Sequence, residues 1–312
     1  MRRMLRCLHY MLCCIGLVFA LHPIQAIADQ PRAITVYITV DWEGWSLEPE
    51  NLEAIQTFRA KYPDIPMLHL LNPVYYLRAP AENPLITEQI RSTLLPIDTT
   101  GLHLHGWRSL VEHCGVTYKD LPSFALADEA CKDSECGYSV SLELAYSEPE
   151  LTQLVACSAA MLVEQGFEQP RHFRAGGWQF GPKLASALHQ NGFTWDSSRI
   201  DADIVAHSWG KQGEMVRMLR TLHPDASILD QPRMLTPSLM QYPNNAGLMD
   251  YTRSEQLLEI FQSLIDQNKS VMVTGFHQET AFDYLDNLED TILVMQEYAK
   301  SVNVELIWGR YD

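Results

Sequence analysis

Two histidines, His103 and His105, stand one residue apart in an apolar, strand-like segment of the chain. In a β-strand the side chains of residues i and i+2 lie on the same face, so both imidazoles point in one direction. Imidazole is the commonest side-chain ligand for transition metals, and a catalytic zinc site takes three protein ligands and leaves one position open. The spacing therefore predicts part of a metal site; the simpler alternative is a pair of histidines hydrogen-bonded at a strand end.

Two carboxylates with the same spacing follow the first apolar strand. Residues 33–40 are apolar, β-branched or aromatic, and Asp41 and Glu43 come directly after them. A carboxylate from this pair, placed beside the two imidazoles, would supply the third ligand. This second pair, at another strand end, favours a functional site.

Apolar, β-branched runs alternate with helical patterns over most of the chain. Besides the strand with the two histidines, strands are predicted at 33–41, 67–71, 171–174, 193–196, 270–276 and 302–308, and helices at 49–61, 85–94, 148–165, 182–190, 254–267 and 282–300. This repeated order indicates a parallel sheet, and the number of units favours a barrel over an open sheet. Residues 107–140 and 199–250 show no clear pattern.

Further residues that can do chemistry come at or just after other predicted strand ends: Arg174, Asp196 and His277. In parallel barrels the carboxyl ends of the strands form one rim, where the chemistry takes place. Convergence from several strands is the main argument from the residues for an enzyme. Alternatives remain for each: a buried ion pair for Arg174, a turn cap for Asp196 and a plain hydrogen bond for His277.

The first 28 residues have the pattern of a secretory signal, with three arginines, an apolar stretch at 11–21 and a final Ala-Ile-Ala. The predicted mature chain is therefore 29–312, a single catalytic domain in the periplasm or outside the cell. An uncleaved membrane anchor is the alternative. The oligomeric state stays open.

The formal net charge of −16 becomes −19 when the three arginines of the signal are removed. Such an acidic surface repels phosphates and anionic lipid headgroups, so we expect neither a nucleic acid partner nor stable membrane insertion after cleavage. Neutral or cationic substrates are favoured, although a solvated surface alone also explains the charge.

Four cysteines remain in the predicted mature chain: Cys114, Cys131, Cys136 and Cys157. An even number in an oxidising compartment predicts two disulfides. Four cysteines allow three pairings, and the sequence does not choose among them. A thiolate metal site is the alternative, although the spacings lack a repeated Cys-x-x-Cys.

Five segments, read in order, resemble the motifs of the polysaccharide deacetylases, the NodB-like carbohydrate esterases. Their positions are 39–44 (an Asp-x-Glu variant of the first motif), 101–105, 173–178, 193–198 and 274–277. The resemblance covers nearly all of the mature chain. It implies an α/β fold of one domain, a distorted (β/α)7 barrel, with a divalent metal, often zinc, at its rim.

The resemblance also implies roles for single residues. The metal ligands would be Glu43, His103 and His105. Asp41 would be the general base, Arg174 would pair with it, and His277 would protonate the leaving group. Which of the two carboxylates acts as the base is left open by the variant spacing of the first motif.

Substrate contacts are expected from Trp178, Asp196, Gly176 and Gly177. The backbone N–H groups of the two glycines would face the oxyanion, because absent side chains permit a close approach. Trp178 is the preferred face for a pyranose ring, ahead of the tryptophans near the other motifs. Asp196 would also tune the acid.

The chain departs from the family pattern at two positions. Family members commonly space the metal histidines as His-x-x-x-His, but Trp107 stands four residues after His103, so the second ligand is His105 or His113. Gly176 replaces the usual proline of the arginine motif. The departures indicate a different substrate, a different metal affinity or lost activity.

The favoured function is an exported, metal-dependent hydrolase that removes acetyl groups from a carbohydrate. One alternative is an amidohydrolase acting on small amides or cyclic ureides, in which His-x-His also occurs. The other is a catalytically silent, carbohydrate-binding homologue.

Overall fold

The computed structural model describes residues 32–78, 83–125 and 136–311. The predicted signal and Cys131 lie outside these residues. Within the described ranges, no helix has both the length and the apolar character needed to cross a membrane.

One curled sheet of nine strands forms the centre of the fold. The strands are β1 (Arg32–Asp41), β2 (Met67–Leu71), β3 (Thr99–Leu104), β4 (His172–Ala175), β5 (Trp195–Asp196), β6 (Arg233–Met234), β7 (Met240–Gln241), β8 (Val271–His277) and β9 (Val304–Trp308). Their order is β6-β7-β5-β4-β3-β2-β1-β8, and β9 pairs with β1. All pairings are parallel except β6 with β7.

Helices surround this sheet. They are α1 (Pro49–Lys61), α2 (Tyr75–Arg78), α3 (Asn83–Arg91), α4 (Arg108–His113), α5 (Leu142–Ala145), α6 (Glu148–Glu164), α7 (Pro182–Gln190), α8 (Ala202–Trp209), α9 (Glu214–Leu222), α10 (Ser254–Asp266) and α11 (Ala281–Ser301). The predicted α/β class with a distorted barrel is confirmed. The segment 199–250, in which the sequence showed no clear pattern, holds α8, α9, β6 and β7. The strands β6 and β7 have two residues each, which is too short for an alternation of apolar and polar side chains to be recognised.

The alternation of side chains along β1 explains how the barrel positions chemistry. Ile34, Val36, Ile38 and Val40 are almost fully buried in the main core. The intervening residues, which end with Asp41, point to the opposite face, into the barrel. The β1–β8 register pairs Asp41 with His277, and the β3–β4 register pairs His103 with Arg174. The rim residues therefore stand level with one another.

An irregular segment closes the barrel between β5 and β8. The backbone N–H of Tyr242 donates to Asp196 O (2.7 Å) on one side. Farther along, Ala246 N donates to Val273 O (3.1 Å) and Met249 N to Gly275 O (2.9 Å). This segment provides the closing contacts where the regular strands stop.

Aromatic rings fill the other end of the barrel. Tyr37 lies 5.3 Å from both Tyr242 and Tyr311, and Trp195 stacks on Tyr242 at 5.3 Å between ring centres. His172 packs against Trp195 and Tyr311. This cluster, which we call the aromatic base, closes the end of the barrel opposite the strand ends.

Cys114 and Cys157 form a disulfide that joins the end of α4 to α6. This contact selects one of the three pairings that the sequence allowed. Cys136 also takes part in a disulfide.

Candidate active site

The carboxylate of Glu43 lies among three imidazoles at the rim. Its Oε1 is 3.2 Å from His103 Nε2 and 3.1 Å from His277 Nε2, and its Oε2 is 2.6 Å from His105 Nε2. Glu43, His103 and His105 are each at most 5% exposed. The three predicted ligands are therefore brought together, whereas His113 is exposed at the end of α4.

The second hydrogen bonds of the two histidines fix which nitrogen carries the proton. His103 Nδ1 is 3.0 Å from Arg174 O, and His105 Nδ1 is 2.6 Å from Tyr138 O. A carbonyl oxygen only accepts, so Nδ1 is the donor in both rings. In the neutral tautomer both Nε2 lone pairs then face the Glu43 carboxylate.

Lone pairs and carboxylate oxygens that converge in a buried space repel each other unless a cation or extra protons lie between them. Glu43 Oε2 and His105 Nε2 lie 2.6 Å apart without a hydrogen bond between them, because Nδ1 carries the proton of the neutral His105 ring. One ligand atom from each of Glu43, His103 and His105 lies within 4.8 Å of the others. Two imidazoles and a carboxylate are a donor set that zinc accepts, so the residues fit a divalent ion.

Charge keeps Glu43 ionised. Burial alone would raise its pKa, but in the absence of an ion the positive charges of protonated His105, His103 and His277 hold the pKa of Glu43 well below its usual range. An anionic ligand is therefore available at neutral pH.

Asp41 and Arg174 form a buried ion pair beside this cluster. Arg174 Nη1 donates to Asp41 Oδ1 at 2.8 Å, and both side chains are at most 2% exposed. Arg174 also donates to Thr39 Oγ1 and to Ser197, so its guanidinium is fixed. The predicted base thus has a predetermined orientation, with one ligand atom within 4.8 Å of Glu43 and His277.

His277 bridges two carboxylates. Its Nδ1 is 2.9 Å from Asp250 Oδ2, and its Nε2 faces Glu43. Burial alone would lower its pKa, but Asp250 and Glu43 hold the pKa of His277 well above its usual range. The ring can therefore donate a proton at neutral pH.

The carboxylate that contacts His277 Nδ1 is Asp250, not Asp196, which the sequence suggested would tune the acid. The Asp196 carboxylate accepts from Ser198 Oγ (2.5 Å), Ser198 N (3.2 Å) and Gln241 Nε2 (2.9 Å). Burial raises the pKa of Asp196 to about 6, although these hydrogen bonds act in the opposite direction. Its contacts are those of the turn cap that the sequence left open.

Gly176 explains how His105 reaches the cluster. The glycine begins a short 3-10 turn after β4, and a Cβ atom at this position would overlap with the His105 ring. Proline carries a Cβ, so it is incompatible with His105 in this position. The two departures from the family pattern are therefore one coupled change.

The turn that carries Glu43 is fixed by a residue that the sequence did not indicate. The Glu279 carboxylate accepts the backbone N–H groups of Glu43, Gly44 and Trp45 at 3.1–3.3 Å, and the Tyr75 hydroxyl donates to it. Burial and the neighbouring Glu43 raise the pKa of Glu279 to about 7, although its hydrogen bonds oppose this. Its position two residues after His277 was the only signal in the sequence.

The polar cluster lies at the bottom of a narrow recess. The space open to water there is about 20 Å³, enough for about one molecule. Trp178, Met215 and Tyr251 are among the residues of its apolar wall, and Gly177 also lines it.

Trp178 is not the exposed face that the sequence favoured for a sugar ring. It is 3% exposed, as part of the second apolar cluster, and adopts φ 55°. Trp42 and Trp107 are fully buried, whereas Trp45 is 37% exposed. The Trp45 ring packs edge-on against Trp107, with 4.5 Å between ring centres, and its centre lies 5.0 Å from that of Tyr138.

Comparison with known proteins gave likenesses in structure only. No family model matches the chain, and no curated protein matches it.

Several solved structures are similar over most of the chain. A putative polysaccharide deacetylase from Mycobacterium smegmatis is 10% identical over 90% of this chain and 88% of that one, with a TM-score of 0.48. A family 4 carbohydrate esterase from Streptomyces lividans, in complex with acetate, is 9% identical over 90% and 93%, with a TM-score of 0.42. A putative polysaccharide deacetylase from Bordetella bronchiseptica is 13% identical over 84% and 79%, with a TM-score of 0.41.

Identities and TM-scores this low carry no argument about what this chain does, so its function must be argued from the site.

Proposed function

We propose that this protein is an exported, metal-dependent hydrolase that removes acetyl groups from an acetylated carbohydrate. The observation that supports it most is the orientation of the His103 and His105 Nε2 atoms, both of which face the Glu43 carboxylate in a buried space. This donor set favours a divalent ion, with zinc expected.

The bound ion would polarise the acyl carbonyl and lower the pKa of water from about 16 towards roughly 7. In this proposal, two residues beside the ligand set carry out the two proton transfers that acyl hydrolysis requires. On one side lies the Asp41 carboxylate, which Arg174 holds in place. On the other lies His277, which Asp250 holds in place.

In the proposed reaction, Asp41 takes a proton from the attacking water. The carbonyl carbon becomes tetrahedral, and the negative charge on its oxygen would be balanced by the positive charge of an ion held by Glu43, His103 and His105. His277 then gives its Nε2 proton to the departing amine or alkoxide as the bond to the acyl carbon breaks. Asp250 keeps the His277 ring oriented and compensates its charge throughout.

A sugar contact at Trp45 completes the proposal. Trp45 is two residues from Glu43, so their Cα atoms are at most roughly 7 Å apart. The Trp45 side chain is 37% exposed, with the Arg78 guanidinium 5.3 Å from its ring centre, and an exposed indole suits the C–H face of a pyranose ring, which is the role that the sequence gave first to Trp178.

The test is acetate release from N-acetylated and O-acetylated oligosaccharides, with and without Zn²⁺, and with cyclic ureides as competing substrates. We expect Zn²⁺-dependent acetate release, its loss after chelation, and its loss in His103→Ala. The matched control is His113→Ala, an exposed histidine that should leave the rate unchanged.

A Zn²⁺-loaded protein that releases no acetate would favour the silent homologue. Hydrolysis of ureides in preference to oligosaccharides would favour the amidohydrolase. Either result would refute the proposal.

A further inference from the structure

The backbone N–H groups of Glu43, Gly44 and Trp45 all point into one concavity. Gly44 makes this possible with φ 92°, and successive N–H groups in such a turn form a nest that binds anions. A side chain at Gly44 would also overlap with Val74, so both its conformation and the available space require glycine here.

The anion in this nest is the carboxylate of Glu279. Its Oε1 accepts from Glu43 N (3.1 Å), Gly44 N (3.1 Å) and Trp45 N (3.3 Å), and Oε2 also faces Glu43 N (3.2 Å). The Tyr75 hydroxyl donates to the same Oε1. The donors of the turn therefore converge on one oxygen atom.

The carbonyl side of the turn is held by other residues. Glu43 O accepts from Asn72 Nδ2 (3.1 Å) and from Trp107 Nε1 (2.9 Å). The backbone around Glu279 is itself anchored, because Asn51 Nδ2 donates to Glu279 O at 2.8 Å. The nest is thus the contact through which the segment after β8 fixes the segment after β1.

We infer that Glu279 is a positioning residue that sets the affinity of the rim for its divalent ion by fixing the turn that carries Glu43. The inference rests on the proposed function for the identity of the ion site. Glu279 does so through hydrogen bonds to the backbone of the ligand residue. Residues that orient metal ligands typically contribute about 10- to 100-fold to metal affinity.

The experiment measures the Kd of Zn²⁺ alone, by competition with a chromophoric chelator, for the metal-free chain and three variants. Glu279→Ala removes the anion from the nest, and we expect Zn²⁺ to bind about 10- to 100-fold more weakly. Glu279→Gln keeps an oxygen at Oε1 for the three N–H groups. We expect this variant to stay within about 5-fold of the wild type, the effect of one hydrogen bond.

Glu143→Ala is the matched control. Glu143 is also a buried carboxylate that accepts two backbone N–H groups, those of Lys183 (3.2 Å) and Leu184 (2.9 Å) at the start of α7. Its removal should lower the Tm without changing the Zn²⁺ affinity.

Wild-type affinity in Glu279→Ala would overturn the inference, as would an equal loss in Glu143→Ala, which would indicate general destabilisation. An equal loss in Glu279→Ala and Glu279→Gln would also overturn it, because charge alone would then be responsible. If the wild-type chain binds no Zn²⁺, both the inference and the proposed function are refuted. If Zn²⁺ binds as expected but no acetate is released, the proposed function fails and the positioning role stands.

Discussion

Tyr37 and Asp41 lie on the same inward face of β1, about four residues or roughly 13 Å apart, at opposite ends of the barrel. Around Tyr37 the interior is the aromatic base, where rings pack at 5.3 Å. Around Asp41 it is the rim, with ion pairs and facing imidazoles. One strand thus changes from a sealed to a reactive environment within two inward positions.

The same residue type behaves in opposite ways at the two ends. At the base, burial and the nearby Arg171 lower the pKa of His172 to about 4, so its ring is neutral. At the rim, two carboxylates outweigh burial and hold the pKa of His277 well above its usual range. Two histidines that are both largely buried therefore differ in charge because only His277 has carboxylate partners.

The largest effect, a loss of turnover, should come from removing His277 at the rim. His277→Ala should lower kcat by about 10²- to 10⁴-fold, because the leaving group loses its proton donor, while Zn²⁺ stays bound. The counterpart at the base, His172→Phe, should leave kcat within about 3-fold. Steady-state acetate release and the Zn²⁺ Kd check both variants. Near-normal turnover in His277→Ala would remove this residue from the mechanism.

The second-largest effect is expected from a methyl group added at Gly176. In Gly176→Ala the new Cβ displaces the His105 ring, so we expect Zn²⁺ to bind about 10- to 100-fold more weakly. Gly192→Ala is the control: its φ of 76° is strained for alanine, but no atom lies within 4 Å of the added Cβ. It should lower stability alone. Unchanged Zn²⁺ affinity in Gly176→Ala would show that His105 is not a ligand.

At the base, the expected effect is on stability and depends on pH. The folded pKa of His172, about 4, lies below its unfolded value of about 6.5, so the unfolded chain binds more protons between these pH values. The stabilisation is complete above pH 6.5 and is lost as the pH falls towards 4. At pH 5 the loss is about 2 kcal/mol.

His172→Phe keeps the ring and removes the titration. Urea unfolding at pH 7 and pH 5 should therefore show a fall in the free energy of unfolding that is smaller by about 2 kcal/mol than in the wild type. Equal falls in both proteins would mean that His172 is protonated in the folded base.

The smallest effect should arise at the outer edge of the rim. Trp45→Ala should raise KM for an acetylated oligosaccharide by about 3- to 10-fold and leave kcat unchanged, because an aromatic contact of this kind contributes about 0.5–1.5 kcal/mol. Trp45→Phe should retain most of the affinity. A fall in kcat with constant KM would place Trp45 in the chemistry instead.

Much of the rim could be predicted because its residues follow strand ends. Glu43, His103, His105 and His277 stand at positions where parallel strands share one edge, and the structure brings them together. Asp250 could not be found in this way. It lies in a segment without a period and reaches His277 across 27 residues of sequence.

The solvent exposure of the tryptophans could not be predicted from the sequence either. Trp45 and Trp178 both neighbour motif residues, but Trp178 is buried in a cluster that includes side chains of α8 and α9. The match between Gly176 and His105 is likewise a contact between the segments that follow β3 and β4, and it cannot be recognised when each departure from the motif is considered alone.

By itself, the sequence determined the order of most of the strands and helices and the kinds of groups at the rim. Both follow from local periodicity and from residue types at fixed positions along the chain. The tertiary structure alone decided which carboxylate pairs with His277, which anion fills the turn at Gly44 and which tryptophan stays exposed. These depend on distances between segments far apart in sequence, and such distances exist only after the barrel has closed.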